Sequence, residues 1–237
     1  MALEGQVARR LRELGDRYDL SSEALARLEA LLEGLAGDKR APTAVRDPRE
    51  ALDAHLADSL VALELEELRS PGRVADIGAG AGLPGLALAS VLEGSSFWLI
   101  ESQASKCSFI AALGAHAGIS NARVVCSRVE EWGDGAGLQD LVVCRALAPQ
   151  PVVLEYASPL LKSGGHLVEW RGARSQDEEQ QAAAAAELLG LSRVAVHHVE
   201  PFAGARERHL HVFRKTGPTP DGFPRRAGLA RKRPLGG

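Results

Sequence analysis

The stretch R-V-A-D-I-G-A-G-A-G-L-P-G, from Arg73 to Gly85, decides how the rest of this 237-residue chain is read. An apolar run, Val74, Ala75 and Ile77, carries a single acid, Asp76, and then breaks into four glycines. Small and apolar residues in a helical pattern follow, Leu86 to Ala89. Strand, glycine turn and helix in that order bring backbone close to a nucleoside-bearing cofactor in a parallel α/β fold. Glycine suits the turn because it accepts positive φ and has no Cβ to hold the ligand off.

Outward from this stretch the pattern alternates. Strands are expected near 73–77, 96–100, 123–127, 140–144 and 165–170, with helices near 84–92, 102–117, 151–161 and 176–190. Parallel neighbours need crossover helices, so the alternation predicts a mostly parallel, doubly wound sheet. Two further strands, near 193–199 and 208–214, have no helix between them. They predict one antiparallel member at the end of the sheet. Upstream, residues 3–36 read as two leucine-rich helices, the second capped by Ser21 or Ser22. Asp47-Pro48-Arg49-Glu50 is a helix start, with Asp47 as N-cap, and that helix is expected to run to about Leu68. Three regions result: a helical lobe over 1–70, an α/β domain over 71–215 and a Pro/Gly-rich tail over 216–237.

Charge is unevenly spread. From Arg214 to Gly237 seven basic residues face one acid, Asp221, a net +6 that leaves −9 on the preceding residues of a chain totalling −3. A basic tail on an acidic body implies a localised contact with a polyanion, with the tail lying over the surface or mobile. Cys107, Cys126 and Cys144 are odd in number and lack C-x-x-C spacing, which fits free thiols in a reducing cytosol. No apolar run is long enough to span a bilayer, so a cytoplasmic protein is expected.

Two cofactor readings of the glycines compete. G-x-G-x-x-G fits Gly80, Gly82 and Gly85, the form a dinucleotide site takes, but its first glycine falls late after the strand. Counted from Gly78, where the strand ends, Leu83 stands where a dinucleotide site wants its third glycine. Asp76 just before the turn suits the cationic methionine end of S-adenosylmethionine. Glu101, closing the second strand, can accept both ribose hydroxyls or cap the helix that begins at Ser102. Val129 and Glu130, after the third strand, face the same edge and can hold an adenine. Arg145 ends the fourth strand, pointing to the cleft or to a structural ion pair with Asp76 or Glu130. His209 and His211 share a strand face without a carboxylate or cysteine partner at metal spacing, so no metal site is expected. Cys144 lacks any nucleophile motif and reads as a buried small hydrophobe.

The ordered set D-I-G-A-G-A-G-L-P-G, I-E-S, S-R-V-E-E, R-A-L-A-P, L-L-K-S-G-G and R-H-L, with V-R-D-P and H-L-A-D-S upstream, resembles the RsmG (GidB) family. The tail P-T-P-D-G-F-P-R-R-A-G-L-A-R-K-R-P-L is similar to the extension of its longer members. The resemblance implies a Rossmann-like class I S-adenosylmethionine-dependent methyltransferase with a small N-terminal helical lobe, acting on N7 of a guanine in 16S ribosomal RNA. It implies cofactor contacts from Gly78, Leu83, Val129, Glu130 and Arg145, beside Asp76, Gly80 and Glu101. RNA phosphates are expected on Arg128 and on Arg225, Arg226, Arg231, Lys232 and Arg233 of the tail. No catalytic side chain is assigned, because N7 carries a free lone pair and no proton. Expected partners are 16S RNA within the small subunit, and the protein is expected to be a monomer. Where the family usually has Asn-Leu before the V-R-D-P segment, this chain has Ala41-Pro42. The readings that stay open beside this one are methylation of another RNA, an NAD(P)-dependent oxidoreductase and a non-catalytic ribosome-binding factor.

Overall fold

Seven strands form one sheet: β1 (Arg73–Ile77), β2 (Ser96–Glu101), β3 (Ala122–Cys126), β4 (Gln139–Arg145), β5 (Leu161–Arg171), β6 (Leu191–His198) and β7 (His209–Lys215). The computed structural model describes residues 5–236, and the first residues of the expected first helix, 3 and 4, lie outside them. Spatial order is β3-β2-β1-β4-β5-β7-β6. The chain fills the sheet leftward from β1 to β3, then returns to place β4 on the other side of β1. This reversal opens a crevice at the carboxyl ends of β1 and β4, where open α/β sheets bind ligands.

One expectation about the sheet is corrected. The antiparallel strand is β7, the last in the chain, but it does not lie at the sheet's end. It is inserted between β5 and β6, which is reached by crossing over with α8 (Gln176–Leu188). The edge position goes to β6, most of whose residues are exposed, whereas β7 is buried along nearly its whole length.

Side chains alternate between the two faces of each strand, so each strand feeds two cores. Val74, Phe97, Leu99, Leu141 and Val143 pack under α5 (Gly85–Val91), α6 (Ala104–His116) and the N-terminal lobe. Ala75, Ile77, Val142, Leu167 and Phe213 pack under α7 (Gln150–Ala157), α8 and the residues after β7. The lobe begins with α1 (Gly5–Tyr18) and α2 (Ser22–Gly37), whose Leu28, Leu31, Leu32 and Leu35 are fully buried. Ser21 caps α2, its side chain accepting from Ala24 N at 3.1 Å.

The next helix starts as expected, with Asp47 accepting from Arg49 N and Glu50 N. It does not run unbroken to Leu68. Helix α3 (Pro48–Ala51) widens into a π-helical turn over Leu52–Ala57, narrows again as α4 (Asp58–Leu60), tightens to 3-10 geometry and breaks at the extended Leu65. Such π turns insert a residue without ending a helix and re-aim the side chains around it.

The cysteine expectation also changes. Cys107 on α6 and Cys126 at the end of β3 are paired, with Cα atoms 5.8 Å apart. The single Cys144 is free and buried, and burial raises its thiol pKa well above the ordinary value, which makes it an inert packing residue. Among the described residues no helix is long and apolar enough to cross a membrane.

Candidate active site

The turn after β1 is built by main-chain geometry that a side chain would disturb. Gly78, Gly80 and Gly82 all have positive φ, and Gly78 N and Ala79 N donate to Ile100 O of the neighbouring strand. Gly85 is constrained from below: a Cβ there would sit 2.6 Å from the Asp76 carboxylate. That carboxylate accepts from Gly85 N at 2.8 Å through Oδ2, so the acid of β1 fastens the start of α5. Its other oxygen, Oδ1, is buried and has no hydrogen-bond partner. Burial, with Glu101 nearby, pushes Asp76 up to about 7. A buried carboxylate with an orphaned oxygen beneath a glycine turn favours a cationic group nearby. This fits the ammonium end of S-adenosylmethionine.

Glu101 performs the capping role and retains a cavity position. Its Oε1 accepts from Ser102 N (2.7 Å) and Gln103 N (2.9 Å), and its Oε2 accepts from Gly80 N at 3.1 Å. One carboxylate thus joins the glycine turn to the start of α6. It also lines a cavity of about 410 Å³ at the crevice. Gly78, Gly80 and Leu83 from the turn contribute to this cavity, as do Lys106 of α6 and Arg128, Val129 and Glu130 after β3. Asp76 lies below it and is not part of its lining.

Across β1, the residues after β4 form the opposite wall. Leu147 packs so closely on Gly78 that a Cβ at that glycine would meet Leu147 Cδ1 at 2.4 Å. Ala146 has a φ of 53°, a left-handed conformation that a residue with a Cβ holds only when its surroundings enforce it. The enforcement is visible. Arg171 Nη1 donates to Ala148 O at 3.1 Å and to Glu169 at 3.1 Å, and Arg171 also pairs with Glu178. Gln150 Nε2 lies 2.8 Å from Glu169 and 3.0 Å from His211 Nδ1, where His211 is pushed down to about 4 by burial and is therefore neutral. Glu169 is pushed up to about 7 by burial in the same cluster.

Arg145 pairs with neither of the acids named from sequence. Its Nη1 donates to Asp58 of α4 at 2.7 Å and to Ala54 O of the π turn at 3.4 Å. This anchors the N-terminal lobe to the end of β4, assisted by Trp170 Nε1, which donates to Asp58 O at 2.6 Å. The lobe therefore supplies cavity residues absent from the sequence-based site: Pro42 and Thr43 of the linker and His55 of the π turn. His55 Nε2 lies 2.9 Å from Thr43 Oγ1, and burial together with Arg145 lowers the histidine pKa. The only pointer to His55 was the H-L-A-D-S resemblance, since no periodicity separates it from a solvent-facing helix residue. The Ala41-Pro42 departure falls here too, with Ala41 buried and Pro42 on the cavity wall.

The tail is placed differently from a free basic arm. Arg225 grips the fully buried Glu155 of α7 with Nε at 2.9 Å and Nη2 at 2.5 Å. Gly228 N donates to Glu130 at 2.8 Å, and a short helix, α9 (Leu229–Lys232), brings Arg231 to the cavity wall. Arg128, Arg226, Arg231, Lys232 and Arg233 are all exposed. His209 and His211 have edge-to-face rings with centroids 6.4 Å apart, and no group of three metal-ligating side chains occurs among the described residues.

Comparison with known proteins gives this geometry a family. Residues 23–211 match the family model GidB, rRNA small subunit methyltransferase G. A ribosomal RNA small subunit methyltransferase G from Rubrobacter xylanophilus is 38% identical over 224 residues, covering 92% of this chain and 86% of the relative. The protein of that name from Syntrophomonas wolfei is 40% identical over 186 residues, covering 78% and 86%. The crystal structure of a SAM-dependent methyltransferase from Aquifex aeolicus shares the fold, with a TM-score of 0.56 at 16% identity, covering 72% of this chain and 94% of that one. With a glycine turn over a buried acid and a family match across most of its length, the chain belongs to the GidB family of rRNA small subunit methyltransferases G.

Proposed function

We propose that this protein transfers a methyl group from S-adenosylmethionine to N7 of a guanine in 16S ribosomal RNA, presented in the small subunit. The observation that carries the reading is the cavity at the β1/β4 crevice, which combines two kinds of wall. On one side the glycine turn and Glu101, with Asp76 beneath them, suit an adenosine bearing a cationic amino acid. On the other, Arg145 to Leu147 and the lobe leave room for a second, planar group.

The cofactor supplies an electrophilic methyl on a sulfonium centre. The chain's own task is placement. Asp76, just beneath the turn, would attract the ammonium, Glu101 Oε2 would take the ribose hydroxyls and the Val129–Glu130 segment the adenine, with Leu83 and Gly78 against the donor. Arg145, held by Asp58, stands at the junction between donor and acceptor walls. Guanine N7 has a lone pair and loses no proton, so no side chain has to act as a base. Holding the nitrogen in line and excluding water contributes up to about 7–11 kcal/mol in reactions of this kind. The acceptor has to be unstacked to enter a cavity of this shape.

RNA phosphates fall to the exposed cations at the rim, Arg128, Arg226, Lys232 and Arg233. Arg225 is committed to Glu155, so the salt dependence is shallower than the tail's composition suggests. Four phosphate contacts on single-stranded RNA give a slope of about −3 in log affinity against log salt. The deciding experiment incubates the protein with labelled cofactor and small subunits lacking the modification, then maps N7-methylguanine by reduction and aniline cleavage. Label appearing at N7 of one guanine is the expected result. Label on an exocyclic amine or ribose, or none at all, overturns it.

A further inference from the structure

The family model stops at residue 211, yet the segment after β7 reaches into the cavity. It is tied down along its length. Lys215 is buried, and its Nζ donates to Ser158 Oγ, Leu189 O and Thr219 Oγ1, fixing where the segment leaves the sheet. The Arg225–Glu155 pair holds the middle, and Ala230 is buried against the α7/α8 core. These anchors deliver two contacts to the two loops that wall the cavity. Gly228 N donates to Glu130, in the loop after β3. Arg231 Nη2 donates to Leu147 O at 3.0 Å, in the loop after β4. Tyr156 of α7 lies close to both Glu130 and Arg231, its hydroxyl pKa raised by burial and by Glu130 and lowered by Arg231.

We propose that this C-terminal extension is a working part of the cofactor cavity, and that Arg231 is its positioning residue, holding the loop after β4 while Gly228 of the same extension holds the loop after β3 across the crevice. The proposal rests on the cofactor reading given above. Leu147 is the residue that packs on Gly78, so whatever holds its carbonyl also sets the gap between glycine turn and opposite wall. Glu130 sits where the adenine is assigned, and the extension holds its carboxylate from outside. A guanidinium holds a carbonyl from a planar, fixed set of donors, a geometry that a lysine ammonium does not reproduce. Released from Arg231, the two loops have to be ordered by the ligand itself, which lowers affinity even with no RNA present.

The alternative assigns Arg231 to RNA phosphate alone, like its exposed neighbour Lys232. Calorimetry of the full chain with S-adenosylhomocysteine and no RNA separates the two. Arg231→Ala is expected to bind about tenfold more weakly, Arg231→Lys to recover little of this, and Lys232→Ala to match the wild type within about twofold. With saturating small subunits, Arg231→Ala lowers kcat and leaves KM for the subunit unchanged, whereas Lys232→Ala raises that KM. Cofactor binding equal to wild type in Arg231→Ala, with only KM for the subunit raised, overturns the proposal. So does a melting temperature lowered by more than about 10 °C, which marks a structural staple. A wild-type chain that binds no S-adenosylhomocysteine fails the cofactor reading first and this proposal with it.

Discussion

The glycine turn and the C-terminal extension wall the same cavity but are built by opposite means. In the turn, each residue's job follows from its neighbours in sequence. Gly78, Gly80 and Gly82 bend the chain, Asp76 nine residues before Gly85 fastens it, and Glu101 closes the adjacent strand. In the extension, the contacts nearest the cavity join residues 70 or more positions apart, as between Arg225 and Glu155, Gly228 and Glu130, and Arg231 and Leu147. Composition alone makes those arginines look like a phosphate-binding arm. The structure commits one of them to a buried acid and brings a second to the cavity wall. A basic run therefore reports charge, and only the placement of buried acids such as Glu155 decides where that charge is used.

Breaking each half separately sharpens this contrast. The largest effect is expected from Arg225→Ala. It leaves Glu155, fully buried, without its cation, and losing one partner of a buried pair costs about 3–5 kcal/mol. Urea denaturation measures it, and a loss below about 1 kcal/mol means the extension is not held as described. Next comes Cys126→Ser. The pair closes a 19-residue span, so under oxidising conditions its removal costs about 3 kcal/mol, while wild type and variant converge when a reductant is added.

Within the glycine half, Glu101→Ala is expected to weaken cofactor binding by about 1.5–3 kcal/mol, the scale of a charge-assisted hydrogen bond. Because Glu101 also caps α6 and holds Gly80 N, Glu101→Gln serves as the comparison. The amide retains one oxygen for the cap and loses the ribose charge. Unchanged affinity in both variants removes the ribose assignment.

The smallest effect has the opposite sign. Asp76 is raised to about 7 in the folded chain against an ordinary value of 3.8, so the folded state binds its proton more tightly than the unfolded state does. Its share of stability is therefore fully present below about pH 4 and declines as pH rises towards about 7. Asp76→Asn, which cannot ionise, is expected to stabilise the ligand-free protein by about 1–2 kcal/mol at pH 8 and to flatten this decline. The same substitution weakens cofactor binding. In the wild type, affinity for the cofactor falls as pH drops below about 7, where Asp76 takes up a proton and loses its attraction for the ammonium. A wild-type affinity independent of pH between 6 and 8 argues that Asp76 does not meet the cation.

Much of the fold was legible because hydrophobic period and glycine position are local signals. The strand–turn–helix at Arg73–Ala89, the positions of the five parallel strands along the chain and the cap at Asp47 all follow from residues within a few positions of one another. Less could be read where two regions of the chain had to meet. The insertion of β7 between β5 and β6 depends on which edge buries Leu210, Val212 and Phe213, a choice that no single strand's pattern contains. The π turn that brings His55 to the cavity is invisible in a heptad-like run. Arg145 could be read as a cleft residue from its strand-end position, but its partner Asp58 comes from a helix 87 residues earlier.

The sequence by itself determined the chemistry of the donor half. Glycines after a strand, with an acid just before them and another at the next strand's end, point to a nucleoside-bearing cofactor, and the ordered motifs that follow narrow it to S-adenosylmethionine. Tertiary structure alone decided the other wall, because it is assembled by the lobe from one face of the sheet and the extension from the other. Burial is the physical reason: a charge such as Glu155 has to find its counter-ion wherever the packed chain brings one, and that search ignores sequence distance.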